Sequence, residues 1–190
     1  MDELKRSVDY SRKRLQAIRN CESKVSDILW KSTQKIIAAS KRYRGSGRLT
    51  NESALLSYAK NVTAEAEDSI NSYISAYSKA SCKILGIDSE NIESFLVSDI
   101  YGKTTSERNA VYLGNFAEDI VRMIKAGTLM GYSDHQLLYS IRTGYKDPYH
   151  TSVITKAKRK DINIDVPSYG KGYYKNAYQN IVRNASQVIA

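Results

Sequence analysis

The feature that most constrains the fold is the seam of apolar residues running through the first quarter of the chain. Leu4, Val8, Leu15, Ile18, Val25, Leu29 and Ile36 fall on the 3-4 spacing of one helical face, which predicts a single long helix over residues 4–44. Ser11, Glu22 and Ser32 interrupt the seam, so it is not a perfect coiled coil. A helix of about 40 residues is about 60 Å long at 1.5 Å per residue. No globule of 190 residues buries such a rod along its whole length. The helix must pair with another long helix or project outward.

The next segment, RGSGRLTN at 44–51, supplies the break. Gly45 and Gly47 end the first helix, and Thr50 or Asn51 can cap a second over about 52–84. In that helix Leu55, Ala59, Val62, Ala66, Ile70, Tyr73, Tyr77, Ala80 and Ile84 step by 3 or 4, the strongest periodicity in the chain. The short connection favours an antiparallel helical hairpin over 1–86, and the alanines Ala59, Ala66 and Ala80 favour close packing. Gly86 ends the hairpin, and Asp88 or Ser89 can start a short helix through Leu96. Thr104 and Glu107 form a capping box opening a helix to about Ala126, with Leu113, Phe116, Ile120 and Ile124 inward and Gly127 and Gly131 ending it. Ser133 and Gln136 form a second capping box for a helix through Ile141, closed by Asp147-Pro148. DINIDV, at 161–166, alternates as a short strand would, and Pro167 precedes a last helix. The expectation is an all-α fold, a long antiparallel hairpin followed by a smaller helical unit over 87–190. No run approaches the roughly 18 apolar residues of a membrane span, and MDELKRSVDYSRKR lacks the apolar core of a secretory signal. A soluble protein made in a cytoplasm, with Cys21 and Cys82 reduced, is the plain expectation.

Charge is unevenly distributed. Residues 1–48 carry 13 Lys/Arg and 5 Asp/Glu, residues 49–100 carry 3 and 8, and residues 101–190 carry 13 and 7. The acidic middle can face the basic ends within the fold. The remaining positive surface either favours a polyanion or acidic protein partner or is simply solvated. Arg12, Lys13, Arg14 and Arg19, and the run Lys156, Lys158, Arg159 and Lys160, can contact phosphates, which gives affinity without sequence reading.

Catalytic and cofactor motifs fail on inspection. Gly102-Lys103-Thr104 resembles the end of a phosphate-binding loop, but Val97 stands where the first glycine is needed. Gly170-Lys171-Gly172 begins like a dinucleotide fingerprint, but Lys175 replaces the third glycine. His135 and His150 have no paired ligand, and the carboxylate pairs, Glu118-Asp119 among them, sit at ordinary surface spacing. The expectation is no enzyme, no metal and no cofactor. Fifteen tyrosines stand against two phenylalanines, a bias that suits interfaces. Tyr169, Tyr173, Tyr174, Tyr178 and Ile181 are the candidate docking residues; the alternative is that this face packs on the chain's own core.

Several of these pieces recur in a known order. A Thr-capped helix with an Arg (Gly102-Lys103-Thr104, Arg108) is followed by a glycine-ended turn (Gly131-Tyr132-Ser133) leading to Pro148, and then by a basic loop. Last comes a helix start marked by Tyr169, Gly170, Gly172, Tyr174, Ala177, Tyr178, Asn180 and Arg183. In this order residues 100–185 resemble the phage head-morphogenesis, or minor head protein, family (the Mu F-like group). Where that family continues with Arg-Thr-Glu, this chain has Ser186-Gln187-Val188. The resemblance implies a structural virion protein, made in the bacterial host cytoplasm, that docks in multiple copies on the portal or inner capsid and contacts packaged DNA nonspecifically. A free, nonspecific nucleic-acid-binding helical protein is the alternative.

Overall fold

The computed structural model describes residues 2–85, 102–143 and 173–189. Helix α1 (Asp2–Ser40) runs into a 3-10 turn (Lys41–Tyr43), a minimal hairpin of β1 (Arg44–Gly45) and β2 (Arg48–Leu49), and α2 (Glu52–Leu85). Then come α3 (Thr105–Leu129), α4 (Asp134–Thr143) and α5 (Tyr173–Ile189). The described chain is all-α apart from that two-stranded ribbon, as the periodicity predicts.

The ribbon is what folds the long rod back on itself. Arg44 pairs with Leu49 and Gly45 with Arg48, leaving Ser46 and Gly47 as the two turn residues. Their φ values are +51° and +73°. Both are left-handed, as a two-residue hairpin turn matching the strand twist requires, and only glycine adopts this conformation at no steric cost. The Thr50 backbone N–H and Oγ1 both donate to the Tyr43 carbonyl, at 2.7 and 2.8 Å. Asn51 then caps α2, its Oδ1 accepting from the Ala54 N–H at 3.0 Å.

α1 and α2 pack antiparallel. Val25, Leu29, Ile36 and Ile37 meet Leu55, Ala59, Val62 and Ile70 in the core. Cross-helix charge pairs realise the expected match of basic ends to acidic middle: Lys35 to Glu65 at 3.4 Å, and Lys125 of α3 to Glu52 at 2.6 Å. The expected α2 seam holds from Leu55 to Ile70 and then turns. Beyond Ile70 the buried positions are Ile74, Ser78 and Ser81, whereas Tyr73 and Ala80 are exposed. Tyr73 lies on the surface with Lys24 Nζ 5.9 Å above its ring and Tyr77 stacked at 6.5 Å. There the inward stripe departs from the 3.6-residue spacing of the expected seam and exchanges Tyr73 for Ile74.

α3 lies on α2 with Leu113, Phe116, Ile120 and Ile124 all buried, as expected. Its start is the Thr104–Glu107 capping box, with both reciprocal bonds formed. Its end differs from the expectation. Gly127 is inside the helix, and Gly131 is the terminator, at φ +71°. Tyr132 N–H donates to the Gly127 carbonyl at 2.8 Å and Gly131 N–H to Thr128 at 3.0 Å, the paired bonds of a Schellman stop. Ser133 and Gln136 form the second capping box, at 3.0 and 3.3 Å. α5 inserts Ala177, Ile181 and Ala185 into the same core, packing against α1, α3 and α4. One continuous core therefore joins the hairpin to the C-terminal helices. The expected short helix at 88–96, the strand at 161–166 and the Asp147-Pro148 stop lie outside the described residues.

Candidate docking and nucleic-acid surfaces

The candidate residues separate into three places. Tyr169, Lys156, Lys158, Arg159 and Lys160 lie outside the described residues, as does His150. Tyr173 and Tyr174 open α5. Ile181 is fully buried, which corrects its assignment to partner docking, and Tyr178 is partly buried, packed on the core with part of its surface exposed. The Ile181 side chain, with no exposed surface, cannot meet a partner without unfolding its own helix. The alternative reading of that face, packing on the chain's own body, describes Tyr178 and Ile181.

The same packing brings together two segments that are far apart in sequence. The Arg108 guanidinium donates from Nε to Asn184 Oδ1 at 2.8 Å and from a terminal nitrogen to the Lys103 carbonyl at 2.7 Å. Asn184 in turn donates to Asn109 Oδ1 at 2.7 Å and to the Thr105 carbonyl at 3.1 Å. Asn109 donates to Asn71 Oδ1 at 2.8 Å, Asn71 to Ser106 Oγ at 3.0 Å, and Ser106 to Glu67 Oε1 at 3.0 Å. Every bond in this chain points the same way, from the cation on α3 to the carboxylate on α2. Such alignment lets each bond polarise the next. Asn109 and Asn184 are buried and belong to no motif noted in the sequence. The available signal was position: Asn109 lies one turn before Leu113 on the inward face of α3, and Asn184 lies beside Ala185 on that of α5.

Other polar sites are structural. Partial burial pushes the Asp134 carboxyl upward, but hydrogen bonds from Arg44 and Lys41, and their charges, more than offset it and leave its pKa below the ordinary value. Arg44 reaches Asp134 at 2.5 Å and Lys41 at 2.9 Å, so the connection between α1 and α2 is tied to the start of α4. Arg142 lies 5.3 Å from the Trp30 ring, tying the end of α4 to α1. Asp119, expected on the surface, is buried. Desolvation raises its pKa to about 6, with the Arg122 charge opposing and Glu118 adding. Burial, reinforced by Glu22, pushes the Cys21 thiol up to about 11, far from a reactive thiolate. Among the described residues no group of three or more His, Cys, Asp or Glu side chains is placed to hold a metal ion. No described helix is long and apolar enough to cross a membrane.

Arg12, Lys13 and Arg14 lie on the first turns of α1, an arm along which no described residue before Cys21 is buried. Lys13 pairs with Asp9 at 2.7 Å on the same helix. The apolar seam of this arm is bare: Leu4 is 72% exposed, Val8 53% and Leu15 56%. A comparison with family models, with curated proteins and with solved structures gives no match in any of the three.

Proposed function

We propose that the chain is a structural, non-enzymatic protein of a phage virion, a minor head protein that docks on the portal or inner capsid and contacts packaged DNA. The observation that supports it is the meeting of the resemblance's separated pieces. The last helix is distant in sequence from the Thr-capped helix with Arg108 and from the Gly131 turn that ends it. They pack against one another, and the Arg108–Asn184 bond at 2.8 Å locks the first to the last. The exposed arm of α1 offers this body an attachment surface, and Arg12, Lys13 and Arg14 on it supply phosphate contacts for DNA.

Deleting residues 169–190 does not test docking, because Ile181 and Ala185 belong to the core and their loss tests folding. The informative experiment is co-sedimentation of the intact chain with procapsids and with isolated portal rings of the phage that encodes it. Capture by either is expected. Sedimentation only at low mass with both present sinks the reading. The second reading, a free nucleic-acid-binding protein, is favoured by the same basic arm. It requires duplex DNA binding without particles, weakening steeply with salt.

A further inference from the structure

Leu4, Val8, Ser11, Leu15 and Ile18 step by 4, 3, 4 and 3, the spacing by which one helix packs along another. Within the described structure the first three apolar members are bare. The charges beside them are not arbitrary. Lys5, Arg12 and Arg19 recur every seven residues along one edge of the seam, and Arg14 lies on the other edge. The acids of the arm, Asp2, Glu3 and Asp9, lie off these edges in the heptad spacing, and Asp9 is taken by Lys13. None of Lys5, Arg12, Arg14 and Arg19 has an ion pair among the described residues.

We infer that this seam is a docking surface for an amphipathic helix of another protein that carries acidic residues beside its own apolar stripe. The edge charges decide the occupant. A second copy in parallel would set Arg14 beside Arg19 of its partner; an antiparallel copy would set Lys5, Arg12 and Arg19 against the same residues. Like charges at these edge positions oppose self-pairing, whereas glutamates there complement all four cations. DNA would satisfy the cations but leave Leu4, Val8 and Leu15 in water. The inference rests on the docking reading above for the biological source of that helix.

The test uses the full chain and two synthetic helical probes of about four heptads, with leucine and isoleucine on the seam and either glutamate or lysine along both edges. The glutamate probe is expected to bind at least about tenfold more tightly than the lysine probe, about 1.4 kcal/mol. The triple variant R12E/R14E/R19E reverses that preference, and L4S/V8S/L15S abolishes binding of both probes with helicity by circular dichroism unchanged. Equal affinity for both probes, or binding of neither, overturns the inference. So does a chain that dimerises through the seam, or one that binds anionic vesicles or duplex DNA through the arm while ignoring the glutamate probe. Probe binding without capture by procapsids or portal rings sinks the virion reading alone. Capture without probe binding sinks this one alone.

Discussion

Asn184 shows how much of this fold depends on a few polar atoms. It is 3% exposed, its amide nitrogen donates twice, and its oxygen accepts from a guanidinium. Truncation removes three partners at once, and groups left unpaired in a buried site cost about 1–3 kcal/mol each, more when charged. Asn184→Ala is expected to lose about 3 kcal/mol in urea unfolding, with shared relaxation limiting the sum. The adjacent Arg183→Ala, at an exposed position, should stay within about 0.5 kcal/mol. Asp119 makes the opposite kind of prediction. Its folded pKa of about 6 lies above the ordinary 3.8, so the folded state holds the proton more tightly than the unfolded chain. Stability from this group is complete below about pH 4 and is lost as pH rises through about 6. Asp119→Asn should therefore be more stable than the parent at pH 7, by about 1–3 kcal/mol, with the difference vanishing near pH 4. A gap that is constant with pH, or that widens in acid, would contradict the assignment.

At the scale of elements, the junction of α3 with α4 is set by a missing side chain. A Cβ on Gly127 would collide with Leu137 Cδ2 and lie 3.2 Å from Tyr132 Cδ2. Replacing a mid-helix glycine by alanine ordinarily gains up to about 1 kcal/mol. Here overpacking against a fully buried Leu137 opposes that gain, at about 1–3 kcal/mol. Gly127→Ala is expected to destabilise, and in a double-mutant cycle with Leu137→Ala its cost should shrink or reverse, as read by denaturation midpoints. The sequence marked Gly127 as a helix end because glycine is the common stop signal. Its use as a packing gap depends on a leucine ten residues later on another helix, which periodicity along one helix does not report. The same limit explains α2. Leu55 to Ile70 were legible because their 3-4 stepping keeps one inward face along the helix. The turn of the stripe to Ile74 depends on how α1, α3 and α5 together surround α2, which its own periodicity does not report. Capping boxes at Thr104 and Ser133 were legible in full, since both of their bonds lie within four residues.

The whole molecule divides into a body and an arm, and the division follows burial rather than chain order. The sequence required a rod longer than the body to project or find a partner, and the first turns of α1 do project. It did not reveal which tyrosines the body would absorb, because Tyr178 reads alike as core and as interface until α1, α3 and α4 are placed around it. Nor did it reveal the Arg108–Glu67 chain of bonds, whose asparagines stand 38 and 75 residues apart. Body and arm differ in what their residues contribute. Removing residues 1–16 takes away no described buried side chain and should shift unfolding free energy by less than about 1 kcal/mol. Ile181→Ala, at a fully buried site, should cost about 2–5 kcal/mol. Native-state hydrogen exchange reads the contrast directly. Amides of residues 4–16 should exchange by local fraying, whereas those of 113–124, packed at the centre, should need opening close to global. A docked acidic helix would change only the first group, since an amide on a helix held between two packed surfaces opens with the complex. Protection of residues 4–16 that rises with the glutamate probe while 113–124 stays fixed is the expected result. Protection already equal in the free chain would mean that the arm is covered by the body itself.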